Sequence, residues 1–311
     1  MSLLEVDQLC VEFSTRRGLL KALNQVSFDL EKGEFLGMVG ESGAGKSMTG
    51  NAILGLIDAP GEITSGDIRL DGKSIVDSPE TIRGSRISMI FQDPLSSLNP
   101  LTTIGDQLIE TIELHTNRRG AAAKQRAIEL LQQIDIDADR LEAYPHQFSG
   151  GMRQRVVIAL AMASEPDIII ADEPTTALDV SVQAQVLDLL RSLCQAEGTA
   201  VILITHDMGV IGNWTDRVGV MYAGSLIEIG TTEQIIQAPR HPYTQGLIAS
   251  TPTMAADVST NLYQIPGNMP PLTAIPEGCA FHPRCPKAEQ QCQLSTPPLV
   301  DQVACHLWRD A

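Results

Sequence analysis

The sequence predicts an α/β domain with a mostly parallel sheet, interrupted by a helical insertion and followed by a smaller cysteine-rich extension. Three observations predict it. Short apolar runs of strand length alternate with segments of helical period. A glycine-rich turn joins one such run to the helix after it. Composition shifts near Pro239, and from that residue to the end lie 11 of the 18 prolines and four of the six cysteines. These mark a boundary at about residue 235, giving domains 1–235 and 236–311, with the helical insertion at about 95–163.

The elements follow in order. Glu34 to Gly40 reads as a buried strand and Lys46 to Leu56 as the helix after it. Arg86 to Gln92 is a second strand. Leu101, Ile104, Leu108, Ile109 and Ile112 recur at helical spacing, as do Ala127, Ile128, Leu131 and Ile134. Met152, Val156, Ala159, Leu160 and Ala163 mark a third helix of the insertion. Asp167 to Asp172 is an apolar strand ending in an acid. Val182, Val186, Leu189, Leu190 and Leu193 mark a helix with Cys194 on its inner side. Thr199 to Thr205 is another strand, and Arg217 to Tyr222 with Ser225 to Ile229 form a hairpin about Ala223-Gly224.

Bulk properties narrow the class. The 311 residues carry 22 basic and 38 acidic side chains, a formal charge of −16. So acidic a chain is repelled by a phosphate backbone, and nucleic acid is not expected as a partner. No apolar run has the length of a membrane span, and residues 1–30 lack the apolar core of a signal peptide. A membrane role must therefore come through a partner.

Gly40-Glu41-Ser42-Gly43-Ala44-Gly45-Lys46-Ser47 fits G-x-x-x-x-G-K-[ST] in full, between a predicted strand and a predicted helix. The glycines let backbone N–H groups turn inward toward phosphate oxygens, and the helix start adds partial positive charge. Lys46 reaches the β- and γ-phosphates, and Ser47 offers a hydroxyl to Mg²⁺. Ile168 to Ala171 delivers Asp172 to the end of its strand, where ligands bind in such folds, as a second Mg²⁺ holder. Glu173 follows as the general base for an attacking water. Together these indicate a P-loop nucleoside triphosphatase that uses Mg²⁺, with kinases, GTPases and helicases still open.

Phe148-Ser149-Gly150-Gly151-Met152 opens the helix before the Asp172 strand. It resembles the ABC signature, usually L-S-G-G-Q, departing from it at Phe148 and Met152. A serine N-cap followed by glycines is the plainer reading of the same residues. The order of motifs resembles the ABC ATPase family. After the phosphate loop comes Phe91-Gln92-Asp93-Pro94, similar to the Q-loop. The Ser149 helix and Asp172-Glu173 follow, then Ala177-Leu178-Asp179, similar to the D-loop, and Ile204-Thr205-His206-Asp207, similar to the H-loop. The resemblance implies a RecA-like core with an antiparallel β subdomain. It implies that Gln92 touches Mg²⁺ and the attacking water, that His206 contacts the γ-phosphate, and that Ser149, Gly150, Gly151 and Asp179 complete a partner's site. Phe13 stands where the family's adenine-stacking aromatic would, or is a packed strand residue.

Three further stretches resemble the ATPases of peptide and nickel importers: Phe91 to Pro100, Tyr144 to Gly151, and Pro239-Arg240-His241-Pro242-Tyr243-Thr244. The likeness is nearest to the D-type subunit of di- and oligopeptide permeases. It implies a second ATPase subunit, identical or homologous, and two membrane-spanning permease subunits. An extracytoplasmic solute-binding protein acts upstream, and the chain lies peripherally on the cytoplasmic face of the inner membrane. Nickel or another small solute is the alternative cargo. A soluble repair or translation protein of the same class would carry two ATPase domains or a long coiled coil, and exporters often fuse membrane spans to the ATPase; neither feature is present.

Cys279, Cys285, Cys292 and Cys305 fall within the last 33 residues. Similar tails in that subfamily are associated with a [4Fe–4S] cluster, which the resemblance implies here. Four thiols in a reducing compartment fit iron–sulfur or structural zinc, and the absence of paired C-x₂-C knuckles favours the former. His282 and His306 keep a Cys₃His zinc site open. With few periodic apolar positions in the tail, a metal could supply its core.

Overall fold

A computed structural model of the chain describes residues 2–16, 18–176, 178–251 and 263–308. In chain order its strands are β1 (Leu4–Thr15), β2 (Gly18–Leu30), β3 (Phe35–Val39), β4 (Gly61–Leu70), β5 (Lys73–Ser74), β6 (Ile87–Ile90), β7 (Ile168–Asp172), β8 (Ala200–Thr205), β9 (Arg217–Tyr222) and β10 (Ser225–Thr231). The helices are α1 (Lys46–Ile53), α2 (Pro94–Ser97), α3 (Ile104–His115), α4 (Ala121–Gln133), α5 (Gly150–Met162), α6 (Val180–Glu197), α7 (Met208–Trp214), α8 (Thr232–Gln237), α9 (Pro242–Ala249) and α10 (Gln290–Leu294). Two compact units emerge. One comprises residues 1–30, 35–77 and 204–311, the other 31–34 and 78–203.

The first unit holds an antiparallel sheet in the order β2-β1-β4-β5. The residue pattern gave no sign of its long strands, and the reason is physical. β1 slips register against β2 between Val6 and Leu9, between Leu9 and Val11, and between Val11 and Glu12. Gln8 (φ 48°) and Gln25 (φ 53°) adopt left-handed backbone at these irregularities. Each bulge shifts the phase of inward-facing residues, so no clean alternation survives. The same unit pairs β3 with β9 in parallel and β9 with β10 in an antiparallel hairpin. Ala223 (φ 47°) and Gly224 (φ 81°) turn that hairpin as expected.

The second unit pairs β6 and β7 in parallel, with β8 next in order. All three are almost wholly buried, as continuous apolar strands of parallel sheets are. The predicted helices of the insertion are present as α3, α4 and α5. α3 buries Ile104, Leu108 and Ile112 on one face, and Thr103 caps it by accepting the Asp106 N–H at 3.1 Å. Cys194 lies fully buried on α6.

The C-terminal extension has a core of its own to share, contrary to the expectation drawn from its weak periodicity. Tyr243, Phe281 and Ala304 are buried in one cluster with Val39, Val218, Val220 and Tyr222 of the first unit's strands. Tyr222, Tyr243 and Phe281 meet edge to face, with centroids 4.7–5.4 Å apart. Docking onto an existing sheet thus replaces internal periodicity.

His241 anchors this packing. It is buried, and its Nδ1 accepts the Tyr243 N–H at 3.0 Å, capping α9. Its own N–H and that of Arg240 donate to the buried carboxylate of Glu228 at 3.0 and 2.8 Å. Burial pulls the imidazole down to about 3 from its ordinary 6.5. The folded state therefore resists a proton that the unfolded chain accepts, and stability is lost as pH falls below 6.5. The unfolding free energy is expected to drop by about 2 kcal/mol from pH 7 to pH 5 through this residue alone. Denaturant titrations of His241→Asn, which keeps a capping side chain without a titrating ring, should show a correspondingly smaller drop.

Candidate nucleotide site

The phosphate loop leaves β3 and enters α1 in the first unit. Gly43 (φ 80°) and Gly45 (φ 106°) hold left-handed backbone, and a Cβ at Gly45 would come within 3.0 Å of the Ala22 carbonyl oxygen. Only glycine fits there. Gly45 is also the N-cap of α1, and no side chain caps that helix start. Its first-turn amides and dipole accordingly point at an anion site. Ser42, Gly43 and Ser47 are exposed, whereas Ala44 is buried. Lys46 is 5 % exposed and donates to the carbonyls of Gly40 at 2.9 Å and Glu41 at 3.1 Å. Its ammonium is thus folded back over the loop it would serve.

Also in the first unit, His206 sits exposed at the end of β8, and Asp207 caps α7 through the Gly209 N–H at 2.7 Å. Phe13 is half-buried on β1 and pairs with Gly61 of β4. A Cβ at Gly61 would approach the Phe13 ring to 2.4 Å, so the ring lies over that glycine. This geometry suits a packed aromatic and leaves part of the ring in the open.

The second unit gathers the proposed hydrolytic residues. Asp172 ends β7, and Glu173 follows with left-handed backbone at φ 47°. A glutamate held in that conformation is strained, and strain of this kind clusters at functional positions. The Glu173 carboxylate accepts from Gln92 Nε2 at 3.0 Å and from Thr176 Oγ1 at 2.9 Å. The structure thus brings together Gln92 and Glu173, which are 81 residues apart in sequence. Thr176 was not expected. Its signal is the hydroxyl three residues beyond the acid, a short-range turn contact.

Ser149 caps α5, its Oγ accepting the Met152 N–H at 3.3 Å. The capping reading is therefore observed, and it leaves the helix start open as an anion site: Ser149 and Gly150 are exposed. Phe148 is 3 % exposed, so the departure from leucine preserves an apolar anchor. A Cβ at Gly151 would stand 2.8 Å from Val182 Cγ1, which makes glycine necessary beside α6. Asp179 is the exposed N-cap of α6; Ala177 lies outside the described residues. In the stretch after Gln92, Leu95 is 59 % exposed but Leu98 only 3 %. Leu98 therefore packs inward and is not available to a partner.

The four tail cysteines are free thiols. The chain folds them into one neighbourhood: the Cys279 N–H donates to the Cys292 carbonyl at 2.8 Å. Burial, helped by the other three sulfurs, pushes the Cys279 thiol up to about 11. Cys285 is raised for the same reasons. Among the described residues no three His, Cys, Asp or Glu side chains are arranged to hold a single metal ion. A single zinc ion therefore has no assembled ligand set among the described residues. His306 is turned elsewhere, its Nε2 lying 2.7 Å from the Ser295 carbonyl. Among the described residues no helix is long and apolar enough to cross a membrane.

Comparison with known proteins agrees with these features. Residues 23–176 match the ABC transporter family model, and residues 227–292 match that of the oligopeptide/dipeptide transporter C-terminal region. The chain is 44 % identical to the oligopeptide transport ATP-binding protein AppD of Bacillus subtilis, over 99 % of this chain and 98 % of that one. It is 45 % identical to the dipeptide transport ATP-binding protein DppD of Escherichia coli, over 96 % and 93 %. Among solved structures, a dimeric ATP-binding cassette in a post-hydrolysis state with ADP and Pi superposes with a TM-score of 0.65. Its sequence is 28 % identical, and the match covers 74 % of this chain and 98 % of that one.

Proposed function

The chain belongs to the ABC transporter family, and from that premise we propose that it is the ATP-hydrolysing subunit of an importer for di- and oligopeptides. The observation that carries the catalytic part is the 3.0 Å bond from Gln92 to Glu173. It supports a role for Gln92 in orienting the group that takes the proton from the attacking water. Lys46 and the amides at the start of α1 bind the phosphates. By the family resemblance Ser47, Asp172 and Gln92 would hold Mg²⁺, and the ion would supply positive charge against the phosphates. His206 contacts the γ-phosphate, and Phe13 faces the base. Ser149, Gly150, Gly151 and Asp179 serve the site of a second ATPase subunit, so that each nucleotide is neutralised from two sides. Division of the chain into 1–235 and 236–311 belongs to the same reading, and the family match at 227–292 supports it.

Two permease subunits, fed by an extracytoplasmic binding protein, complete the importer, with this subunit peripheral on the cytoplasmic face of the membrane. Exposed Leu95 and Ser96, just after Gln92, form the docking surface for a permease subunit. Cysteine at Ser96 is expected to crosslink to that subunit in an ATP-dependent manner, whereas cysteine at buried Leu98 is not. Absence of any crosslink from residues 93–97 would remove this coupling route.

Cys279, Cys285, Cys292 and Cys305 are assigned to a [4Fe–4S] cluster. Such a cluster takes one thiolate per iron, so its ligands need not converge on a single point. Cys279 and Cys285, whose thiols are raised by burial and by neighbouring sulfurs, stay protonated unless a cation stabilises the thiolates, and a cluster would supply that charge. Anaerobic preparations should contain about four iron and four sulfide per chain, lowered by serine at any of the four positions. Stoichiometric zinc without sulfide would transfer the site to zinc.

A further inference from the structure

We infer that Tyr243 and Arg284 of the C-terminal extension are positioning residues for the phosphate loop. The inference rests on the ATP-site reading above. Glu41 is the only acid among residues 40–47. Its two polar ends are both held by the extension. The Glu41 N–H donates to Tyr243 Oη at 2.9 Å. Its carboxylate accepts from Arg284 Nη1 at 3.0 and 3.1 Å.

Both clamps are rigid. Tyr243 is fully buried within the aromatic cluster. Burial, reinforced by the nearby Glu41 carboxylate, keeps its phenol protonated. The Arg284 side chain is 7 % exposed against 30 % for Glu41. Its Nε donates to the Pro266 carbonyl at 2.8 Å and its Nη1 to Tyr222 Oη at 3.3 Å. Met269 of the extension lies close to the loop further on, since a Cβ added at Gly43 would stand 3.2 Å from its Cε. The extension therefore bears on the loop at its beginning and its middle.

Electrostatics gives the arrangement its purpose. A carboxylate beside a triphosphate site repels the ligand, and at short range bulk salt screens such repulsion only in part. Arg284 cancels that charge and fixes where the carboxylate lies. Tyr243 fixes the first amide of the loop, so the following N–H groups start from a set geometry. Lys46 donates to the carbonyl of this same residue at 3.1 Å. Displacing Glu41 consequently displaces a partner of the phosphate-binding lysine.

The test is calorimetric titration of the full chain with the non-hydrolysable analogue AMP-PNP and Mg²⁺. Arg284→Met is expected to weaken binding about tenfold at low ionic strength, with a smaller deficit at high salt. Adding Glu41→Gln to Arg284→Met removes the uncompensated charge and should restore affinity to within about threefold of wild type. A purely structural arginine would show no such recovery. Tyr243→Phe keeps the buried ring and removes one hydrogen bond, and it should weaken binding about three- to tenfold. Wild-type affinity in both Arg284→Met and Tyr243→Phe, beside lost affinity in Lys46→Ala, would overturn the inference and leave the ATP site standing. Loss in Arg284→Met that Glu41→Gln fails to recover would overturn the charge argument. Wild-type protein that does not bind the analogue would remove the ATP-site reading itself.

Discussion

Glu173→Gln is expected to lower ATP turnover by about 10²–10⁴-fold, the range for loss of a general base, while ATP binding stays close to wild type. The amide keeps the shape of the carboxylate. Its oxygen can still accept from Gln92 Nε2 and Thr176 Oγ1, the two donors that now hold Glu173. The one property lost is the ability to take a proton from water. Binding without hydrolysis should also trap an ATP-bound pair of subunits, visible as a larger species in light scattering. Reduced affinity with normal turnover of what binds would contradict the assigned role.

Lys46→Ala is expected to weaken ATP binding itself. A charge-assisted contact is worth about 1.5–3 kcal/mol, which corresponds to roughly ten- to a hundredfold in affinity. Lys46 is 5 % exposed and its ammonium donates to the carbonyls of Gly40 and Glu41, so its loss also frees the loop it braces. The two substitutions thus separate binding from chemistry. Unchanged affinity of Lys46→Ala by calorimetry would exclude the lysine from the site.

The candidate site residues were legible because backbone geometry dictates them locally. Gly43 and Gly45 occupy left-handed positions that other residues resist, so the phosphate loop announces itself in sequence. The apolar run at Ile168 to Ala171 is fully buried, and it delivers Asp172 by the rule that buried strands end at the ligand edge. The long strands β1, β2 and β4 were not legible, because register shifts at Leu9 and Val11 scramble alternation. Hidden too was the attachment of the extension. Tyr243 and Arg284 meet Glu41 across 202 and 243 residues, and no local spacing records such a contact. Weak periodicity in the tail suggested a segment without a core. Its large side chains, Tyr243 and Phe281, instead complete a core begun by Val39 and Tyr222.

ATP hydrolysis by this chain drives peptide uptake. The most direct measurement is uptake of a radiolabelled dipeptide and a radiolabelled oligopeptide by cells whose sole copy of this subunit carries Glu173→Gln. Entry of both peptides should fall to background while uptake of free amino acids is unchanged, and the wild-type chain should restore it. Peptide uptake at the wild-type rate in the Glu173→Gln cells would contradict the account.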